Sequence, residues 1–239
     1  MTTNLSESVF IKLQQEILEG TFPAGSRLPS ERTLSLAHKV SRVTIRDAVR
    51  KLSQLGLIVK KPQSGNYVCA YKEEASLDLL IHIMRTSEAV DLSLLISLME
   101  FRRTNEVFAA RKAAQNITPA GITYLTELME GLKANADNRS YLAEMDYTLH
   151  YKIAVFSNNL VLKLMFHSFR PIYHYYTHFF YHLEGTGPAS IDLHQKVVSA
   201  ICARDEAYAS YAMEKALIYS ENKMKDALGP FKGNKTINL

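Results

Sequence analysis

One stretch of the chain decides how it folds, and it reads GTFPAGSRLPSERTLSLAHKVSRVTIRDAVRKLSQLGLIVKKPQSGNYV over residues 20–68. Apolar residues recur in it at helical spacing, in two short runs separated by a few polar residues. Ser30 and Ser41 stand directly before these runs, where the N-cap residue of a helix belongs. The pattern predicts two helices joined by a short turn, a helix-turn-helix, with the second helix over Arg42–Leu55.

Two short apolar segments follow the second helix and predict a β-hairpin. Its strands are expected at Leu57–Lys61 and Asn66–Ala70, with a tight turn at Pro62–Gly65. A hairpin after a helix-turn-helix is a wing, and an amphipathic helix over residues 8–19 completes the module. Residues 1–70 are therefore expected to form a winged helix-turn-helix.

The second helix of the motif is the basic one, and this favours DNA as its partner. Arg42, Arg46 and Arg50 are spaced i, i+4 and i+8, so they share one helix face. Recognition helices place their N-terminal residues on base edges, where arginine can hold guanine with two bonds. The residues at that end are Ser41, Arg42, Thr44 and Arg46. An ordinary solvated helix face is the alternative, but the order of helices and hairpin favours DNA.

The segment from about residue 8 to residue 70 closely resembles the winged helix-turn-helix of GntR-type bacterial transcription regulators. The matching positions are Gly20, Pro23, Gly25, Leu28, Pro29, Ser30, Glu31, Arg32, Leu34, Ser41, Arg42, Thr44, Arg46, Ala48, Leu52, Gly56, Gly65 and Val68. The resemblance implies DNA contacts from Arg32, Ser41, Arg42, Thr44 and Arg46, with Gly65 at the wing tip. Helical periodicity alone does not point to Arg32.

Charge is distributed unevenly along the chain. Residues 1–70 carry 10 Lys and Arg against 5 Asp and Glu, whereas residues 71–239 carry 18 against 19. The formal net charge of +4 is therefore concentrated in the first third. Such an asymmetry is typical of a basic module that meets a polyanion.

Composition excludes several classes of protein. The chain is 47% hydrophobic and 22% charged, as in globular rather than disordered proteins. No apolar run approaches the ~18 residues that a membrane-spanning helix needs, and the first residues lack the features of a secretory signal. Cys69 and Cys202 have neither the spacing of a disulfide framework nor that of a metal site. We therefore expect a cytoplasmic protein without a membrane partner.

Helical periodicity dominates the rest of the chain, beyond a polar segment at residues 71–77 that is predicted to be a linker. Helices are expected at residues 76–86, 90–116, 118–135, 138–157, 159–183, 188–204 and 206–227. We expect residues 78–228 to form an all-α bundle of six or seven helices, and residues 229–239 to be a flexible tail. The predicted fold class is mainly α.

Three side chains of this bundle form a candidate metal site. Asp146 and His150 are spaced i, i+4, so they project from one helix face and can grip one ion. His194, on a later helix, can complete a set of two histidines and one carboxylate. Such a set suits a divalent transition metal and leaves coordination positions open. From the spacing alone, an aspartate and a histidine one turn apart more often form a surface pair, and a lone histidine is more often structural.

An arginine earlier in the bundle is a candidate anion ligand. Arg102 lies on a partly apolar helical stripe, which favours a carboxylate or phosphate partner, because the planar guanidinium binds such groups with two bonds. A salt bridge from this segment to Glu100 or Glu106 is the alternative.

Residues 76–228 resemble, more loosely, the FCD effector domain of the FadR subgroup of these regulators. The likeness rests on MEFRRTNEVFAARKAA, on AEMDYTLHYKIAVFSNN and on the segment that begins at His194. It implies a homodimer, an organic acid that reaches Arg102, and zinc, nickel or manganese on the three candidate ligands. A fourth histidine is implied 22 residues after His194, where this chain has Ala216.

An aromatic segment, FHSFRPIYHYYTHFFYH over residues 166–182, carries a further pattern. His174, His178 and His182 form one stripe, which predicts either a metal-binding face or, more simply, an aromatic core or dimer face that tolerates histidines. Pro171 is expected to kink or break this helix.

Together these features predict a transcriptional regulator, not an enzyme. A small metabolite, an organic acid by the resemblance, would control its affinity for a palindromic operator in double-stranded DNA. Two alternatives stay open: a metal-free regulator that senses a larger apolar ligand through the aromatic helix, and a metal-dependent enzyme that uses Asp146, His150 and His194. The sequence contains no nucleophile motif, phosphate loop or cofactor fingerprint that would support the enzyme.

Overall fold

The computed structural model describes residues 5–70, 76–86 and 92–228. The chain divides into two compact units, Met1–Ile83 and Met84–Leu239. The described residues are mainly helical, as predicted, and their strands form one two-stranded sheet.

Parts of the predicted chain organisation fall outside these ranges. The predicted linker at 71–77 lies mostly, and the predicted tail at 229–239 entirely, outside the described residues. Within the described ranges, no helix combines the length and apolar character that crossing a membrane requires.

The first unit is a winged helix-turn-helix, as the sequence predicts. Its elements are α1 (Leu5–Leu18), α2 (Glu31–His38), α3 (Arg42–Gln54), β1 (Ile58–Lys61), β2 (Gly65–Val68) and α4 (Leu77–Thr86). Both predicted N-caps are confirmed, because Ser30 Oγ accepts a hydrogen bond from the Thr33 N–H and Ser41 Oγ accepts one from the Thr44 N–H. These bonds fix where α2 and α3 begin, since they satisfy N–H groups that lack a partner within the helix.

The apolar faces of the helices and the inner face of the hairpin share one core. Its members are Val9, Phe10, Leu13, Ile17, Leu28, Leu34, Ile45, Ala48, Val49, Leu52, Leu57, Ile58, Val68 and Leu79. The start of α4 also packs on α1: the ring of His82 lies 5.2 Å from that of Phe10, and its Nε2 lies 2.7 Å from Gln14 Oε1. This core holds α3 with its basic face outward.

The wing is an antiparallel pair in which Ile58 lies opposite Val68 and Lys61 lies opposite Gly65. Gly65 has φ 126°, a value that is open mainly to glycine. The backbone conformation of the wing therefore favours glycine at position 65.

The segment before α2 joins the wing as a third extended segment. The N–H of Leu28 donates to the carbonyl of Asn66 at 2.9 Å, and the N–H of Val68 donates to the carbonyl of Ser26 at 2.9 Å. The sequence does not reveal this pairing, because Pro23 and neighbouring glycines favour a turn there.

The second unit contains seven helices among the described residues, a number in line with the six or seven expected. They are α5 (Leu92–Asn116), α6 (Pro119–Ala134), α7 (Arg139–Phe156), α8 (Leu160–Ser168), α9 (Arg170–His182), α10 (Thr186–Cys202) and α11 (Glu206–Leu228). The helix expected at 76–86 packs in the core of the first unit instead, and the one expected at 159–183 forms two helices. Helix α11 packs against α5 and α10, and α7 packs against α5 and α9. This packing brings side chains of α5, α7, α9, α10 and α11 to one interior site.

The predicted helix at 159–183 is two helices in the structure. Helix α8 ends at Ser168, and α9 begins directly afterwards, with Pro171 in its first turn. Proline lacks a backbone N–H and its ring collides with the preceding turn, so it is accepted where a helix begins. Of the two effects predicted for Pro171, a kink or a break, the structure therefore shows the break.

Candidate functional site

Helix α3 presents a basic face to solvent. Arg42, Arg46 and Arg50 are exposed, and so is Arg32 on α2. The hydroxyls of Ser41 and Thr44 lie 2.9 Å apart at the start of the helix. These two residues therefore form the N-terminal cap of α3. The DNA contacts that the sequence predicts for them lie at the same end of the helix.

Two of the α3 arginines already have carboxylate partners. Arg46 Nη2 lies 3.1 Å from Glu31 Oε2, and Arg50 Nη2 lies 2.8 Å from Asp47 Oδ1. The hydrogen bond that Arg46 donates to the Glu31 carboxylate raises the pKa of Arg46. A DNA contact from Arg46 must therefore compete with Glu31.

The three predicted metal ligands meet in the interior of the second unit. His150 Nε2 lies 3.2 Å from His194 Nε2 and 3.6 Å from Asp146 Oδ1, and His194 Nε2 lies 3.7 Å from Asp146 Oδ2. Tetrahedral bonds of about 2.0–2.1 Å would separate neighbouring ligand atoms by roughly 3.3 Å. All three side chains are buried. With one ligand atom taken from each residue, the three atoms lie within 4.8 Å of one another, close enough to be candidates for holding one metal ion.

A buried carboxylate fixes the orientation of His150. Glu106 Oε2 contacts His150 Nδ1. Burial alone would raise the pKa of Glu106, but Arg102 and His150 outweigh it and bring that pKa to about 2. Because an ionised carboxylate only accepts hydrogen bonds, Nδ1 carries the proton, and the lone pair of Nε2 is left on the side of the ring that faces Asp146 and His194, where a metal ion would bind.

Asp146 and His194 are held in a similar way. The hydroxyl of Tyr181 donates to Asp146 Oδ2 at 2.8 Å and lies 2.8 Å from Ser190 Oγ, which in turn lies 3.4 Å from His194 Nδ1. Burial lowers the pKa of His194 to about 4, so at neutral pH its imidazole is uncharged, as a metal ligand must be. Each candidate ligand therefore has a neighbour that orients it.

Arg102 borders this site, but it is already engaged. Its Nε donates to Glu106 Oε1 at 2.7 Å and lies 3.2 Å from the hydroxyl of Tyr173. Burial opposes the charge of Arg102, yet Glu106 raises its pKa above the ordinary value. The salt bridge to Glu106, one of the alternatives that the sequence left open, is thus present.

A small cavity adjoins the three ligands. It is lined by Arg102, Asp146, His150, Tyr176, Thr177, Phe180, Ser190, His194, Ala216, Leu217, Ser220 and Met224. The cavity leaves about 20 Å³ for the centre of a water molecule, whereas one water needs about 10–15 Å³. Ala216, which stands where a fourth histidine is implied, therefore adjoins open space beside the ligands.

The other histidines do not converge. In the part of the chain that the structure describes, the only group of three or more potential ligands is Asp146, His150 and His194. Along α9 the rings of His174, His178 and His182 are 6.5 and 6.4 Å apart. His174 instead contacts Glu144 at 3.1 Å, and burial lowers its pKa.

Sequence reasoning missed two residues of this site. Ser190 precedes His194 by one helical turn, so its i, i+4 spacing was an available signal. Tyr181 reaches Asp146 from another helix, and nothing in its local sequence indicates the contact.

Comparisons with known families give matches in both units. A family described as "Bacterial regulatory proteins, gntR family" matches residues 5–68, and the FCD domain family matches residues 97–218. The two matches coincide with the winged helix-turn-helix and with most of the helical unit.

Several similar proteins carry names of transcriptional regulators. The HTH-type transcriptional regulator Mce2R of Mycobacterium tuberculosis is 30% identical over 71% of this chain and 70% of its own length. The uncharacterized HTH-type transcriptional regulator YieP of Escherichia coli is 30% identical over 92% and 95%. The galactonate operon transcriptional repressor of Escherichia coli is 28% identical over 68% and 71%.

Solved structures share the fold. Lar, described as controlling the expression of the Listeria monocytogenes agr system, superposes with a TM-score of 0.54 at 14% identity, over 94% of this chain and 98% of its own. A GntR family member from Pseudomonas syringae superposes with a TM-score of 0.52 at 16% identity, over 94% and 86%.

Proposed function

This chain belongs to the GntR family of bacterial regulatory proteins and is a DNA-binding transcriptional regulator with an FCD domain, and on that basis we propose which residues read DNA and which bind the signal. Base edges in the major groove are read by the N-terminal end of α3. The residues at that end are Ser41, Arg42, Thr44 and Arg46, and Arg32 on α2 and Gly65 at the wing tip add further contacts. The main support for this proposal is that the basic N-terminal end of α3 is exposed to solvent.

The regulator acts as a homodimer in the bacterial cytoplasm. Two-fold symmetry would place one α3 on each half of a palindromic operator, one helical turn or a multiple of it apart. Effector binding has to favour one arrangement of the two DNA-binding heads over another, because only a difference in binding free energy between states can change operator affinity.

Substitution of Arg42 tests the DNA-reading surface. We expect Arg42→Ala to weaken operator binding by about 5- to 150-fold, the loss typical of a specific base contact, while the dimer persists in size-exclusion chromatography. Fluorescence anisotropy with a duplex selected by the wild-type protein measures the affinity. Arg111→Ala, an exposed arginine on α5, is the control, and equal affinities for the two variants would remove Arg42 from the interface.

In the helical unit, we propose a divalent transition metal on Asp146, His150 and His194, with zinc, nickel or manganese as candidates. The charges around the site favour a cation. Arg102 and Glu106 neutralise each other, and the imidazole of His194 is uncharged. Asp146 adds a buried negative charge. Two imidazoles and one carboxylate leave coordination positions for a ligand from solvent.

The proposed effector is a small organic acid. Its carboxylate would bind the metal on the Ala216 side of the site, within reach of the Arg102 guanidinium. The cavity has room for about one water molecule, so an acid of several carbon atoms requires its walls to move.

The metal content of protein purified without chelator tests this site first. We expect about one equivalent of metal in the wild-type protein and in His167→Ala, an exposed histidine on α8, and none in His194→Ala. Absence of metal from the wild-type protein after attempted reconstitution would contradict the proposal. The search would then move to apolar ligands of the aromatic helix α9.

The enzyme alternative makes a different prediction. A metal-dependent enzyme at Asp146, His150 and His194 would convert its ligand, whereas a regulator returns it unchanged. Mass spectrometry of the acid after incubation with metal-loaded protein separates the two.

A further inference from the structure

The wing carries a basic residue that the DNA-reading surface described above does not include. Arg27 belongs to the third extended segment and lies directly opposite Tyr67 of β2. Residues directly opposite in an antiparallel pair point to the same face of the sheet. The neighbouring Leu28 is buried in the core, so Arg27 points to the outer face, where it is exposed.

The guanidinium of Arg27 lies across the hairpin at Gly65. A methyl group added to Gly65 would lie 3.0 Å from Arg27 Nε and 3.4 Å from Nη2. Gly65 therefore serves the wing in two ways: it adopts a positive φ, and it leaves the space that the Arg27 side chain crosses.

A second cation lies on the opposite side of Gly65. Lys61 of β1 is the cross-strand partner of Gly65, and its Nζ lies 4.5 Å from the centre of the Tyr67 ring. The hydroxyl of Tyr67 is in turn 2.7 Å from Ser64 Oγ at the turn. Both cations are thus held beside the tip of the wing.

These two cations differ from Arg46 and Arg50 of α3 in their pairing. Within the residues that the structure describes, no carboxylate lies at ion-pair distance from Arg27 or Lys61, whereas Arg46 and Arg50 each have one. Unpaired, ordered cations are the groups that a phosphate binds without displacing a partner, and the guanidinium can bind two phosphate oxygens at once.

We propose that Arg27 and Lys61, on either side of Gly65, form a phosphate-binding site of the wing for the backbone of duplex DNA. The inference rests on the proposed DNA-reading surface, because the same duplex would lie against α3. A phosphate contact positions the protein without reading sequence. Loss of Arg27 therefore weakens binding to all duplexes alike and lowers the salt dependence of binding.

The salt dependence of DNA affinity tests this site in the full-length chain. The probes are a duplex that the wild-type chain selects from a random library and a scrambled duplex of the same composition. For Arg27→Gln we expect the slope of log affinity against log salt concentration to fall by about one per protomer, with similar losses on both duplexes. Lys61→Gln should lower the slope in the same way.

Lys12→Gln is the matched control, since Lys12 is an exposed cation on α1 outside the wing and the α2–α3 motif. A slope for Arg27→Gln equal to that of Lys12→Gln, with unchanged thermal unfolding, would overturn the wing site and leave the reading by α3 intact. Arg27→Lys keeps the charge, and we expect it to keep the slope. A wild-type chain that selects no duplex would overturn the DNA-reading surface itself.

Discussion

One ion pair of the winged helix and one of the helical unit lie in opposite surroundings. In the winged helix the Arg46–Glu31 pair has side chains that are 70% and 33% exposed, whereas in the helical unit the Arg102–Glu106 pair is 6% and 1% exposed. Water and salt screen the first pair, so it can give way to another anion at little cost. The second pair is fixed, because either charge would be buried without a partner if the other left.

The difference in exposure between the two ion pairs suits the different functions proposed for the two units. A surface that binds a polyanion has to exchange partners, and its charges stay where phosphates and base edges can reach them. A site that orients three ligand atoms has to hold its charges in one arrangement. Under the proposed function, the exposed Glu31 carboxylate limits how readily Arg46 can bind DNA, and the buried Arg102–Glu106 pair keeps His150 in one orientation.

Removal of the buried carboxylate should give the largest effect. We expect Glu106→Ala to lower the free energy of unfolding of the helical unit by about 3–5 kcal/mol, because Arg102 is left buried and unpaired and His150 loses its partner. Urea unfolding of metal-free protein measures it, followed by near-ultraviolet tyrosine signals, since most tyrosines lie in this unit.

The matched control for this variant lies in the same unit. Glu144 pairs with Arg170 through side chains that are 41% and 52% exposed, and loss of an exposed pair costs below about 1 kcal/mol. Equal unfolding midpoints for Glu106→Ala and Glu144→Ala would contradict the structural role assigned to the buried pair.

Removal of one hydroxyl beside the proposed metal ligands should give an intermediate effect. We expect Tyr181→Phe to weaken metal binding by about 10- to 100-fold, the usual cost of losing a group that orients a ligand, because Asp146 is then free to rotate. Competition with a chromophoric chelator gives the affinity, and the visible spectrum of the cobalt form reports the ligand geometry. Tyr175→Phe, on the same helix, should change neither; a Tyr181→Phe protein with wild-type affinity and spectrum would show that Asp146 needs no such support.

Removal of the exposed carboxylate should give the smallest effect. We expect Glu31→Gln to leave thermal unfolding unchanged and to raise operator affinity modestly, because Arg46 no longer has a competing partner. Anisotropy titrations beside the wild-type protein measure this change. Weaker operator binding by Glu31→Gln would mean that Glu31 positions Arg46 for DNA instead of competing with it.

The sequence predicts well what depends on neighbours along the chain. Ser30 and Ser41 are recognisable as caps because the N–H groups that they satisfy are three residues away. Asp146 and His150 are recognisable as a pair because one helical turn separates them. The pairing of Arg27 with β2 and the contact between Tyr181 and Asp146 are not recognisable, because each joins elements whose relative position only the fold determines.

The sequence predicts the contacts of Arg102 and Glu106 only in part. The sequence marks Arg102 as an anion ligand and names Glu106 among its possible partners, and the structure contains that pair. It does not indicate that the other oxygen of Glu106 contacts His150. A carboxylate can bind two cationic or donor groups at once, and helical spacing identifies only the partner on its own helix.

The small size of the cavity beside the proposed ligands has a consequence for timing. The cavity holds about one water molecule, so the proposed organic acid would enter only if helices that line it, such as α9 and α11, moved apart. Association then proceeds at the rate of that opening instead of at the rate of diffusion, and release waits for the same movement. A regulator that binds its signal in this way would average the concentration of the metabolite over the lifetime of the bound state, and brief fluctuations of the metabolite would leave transcription unchanged.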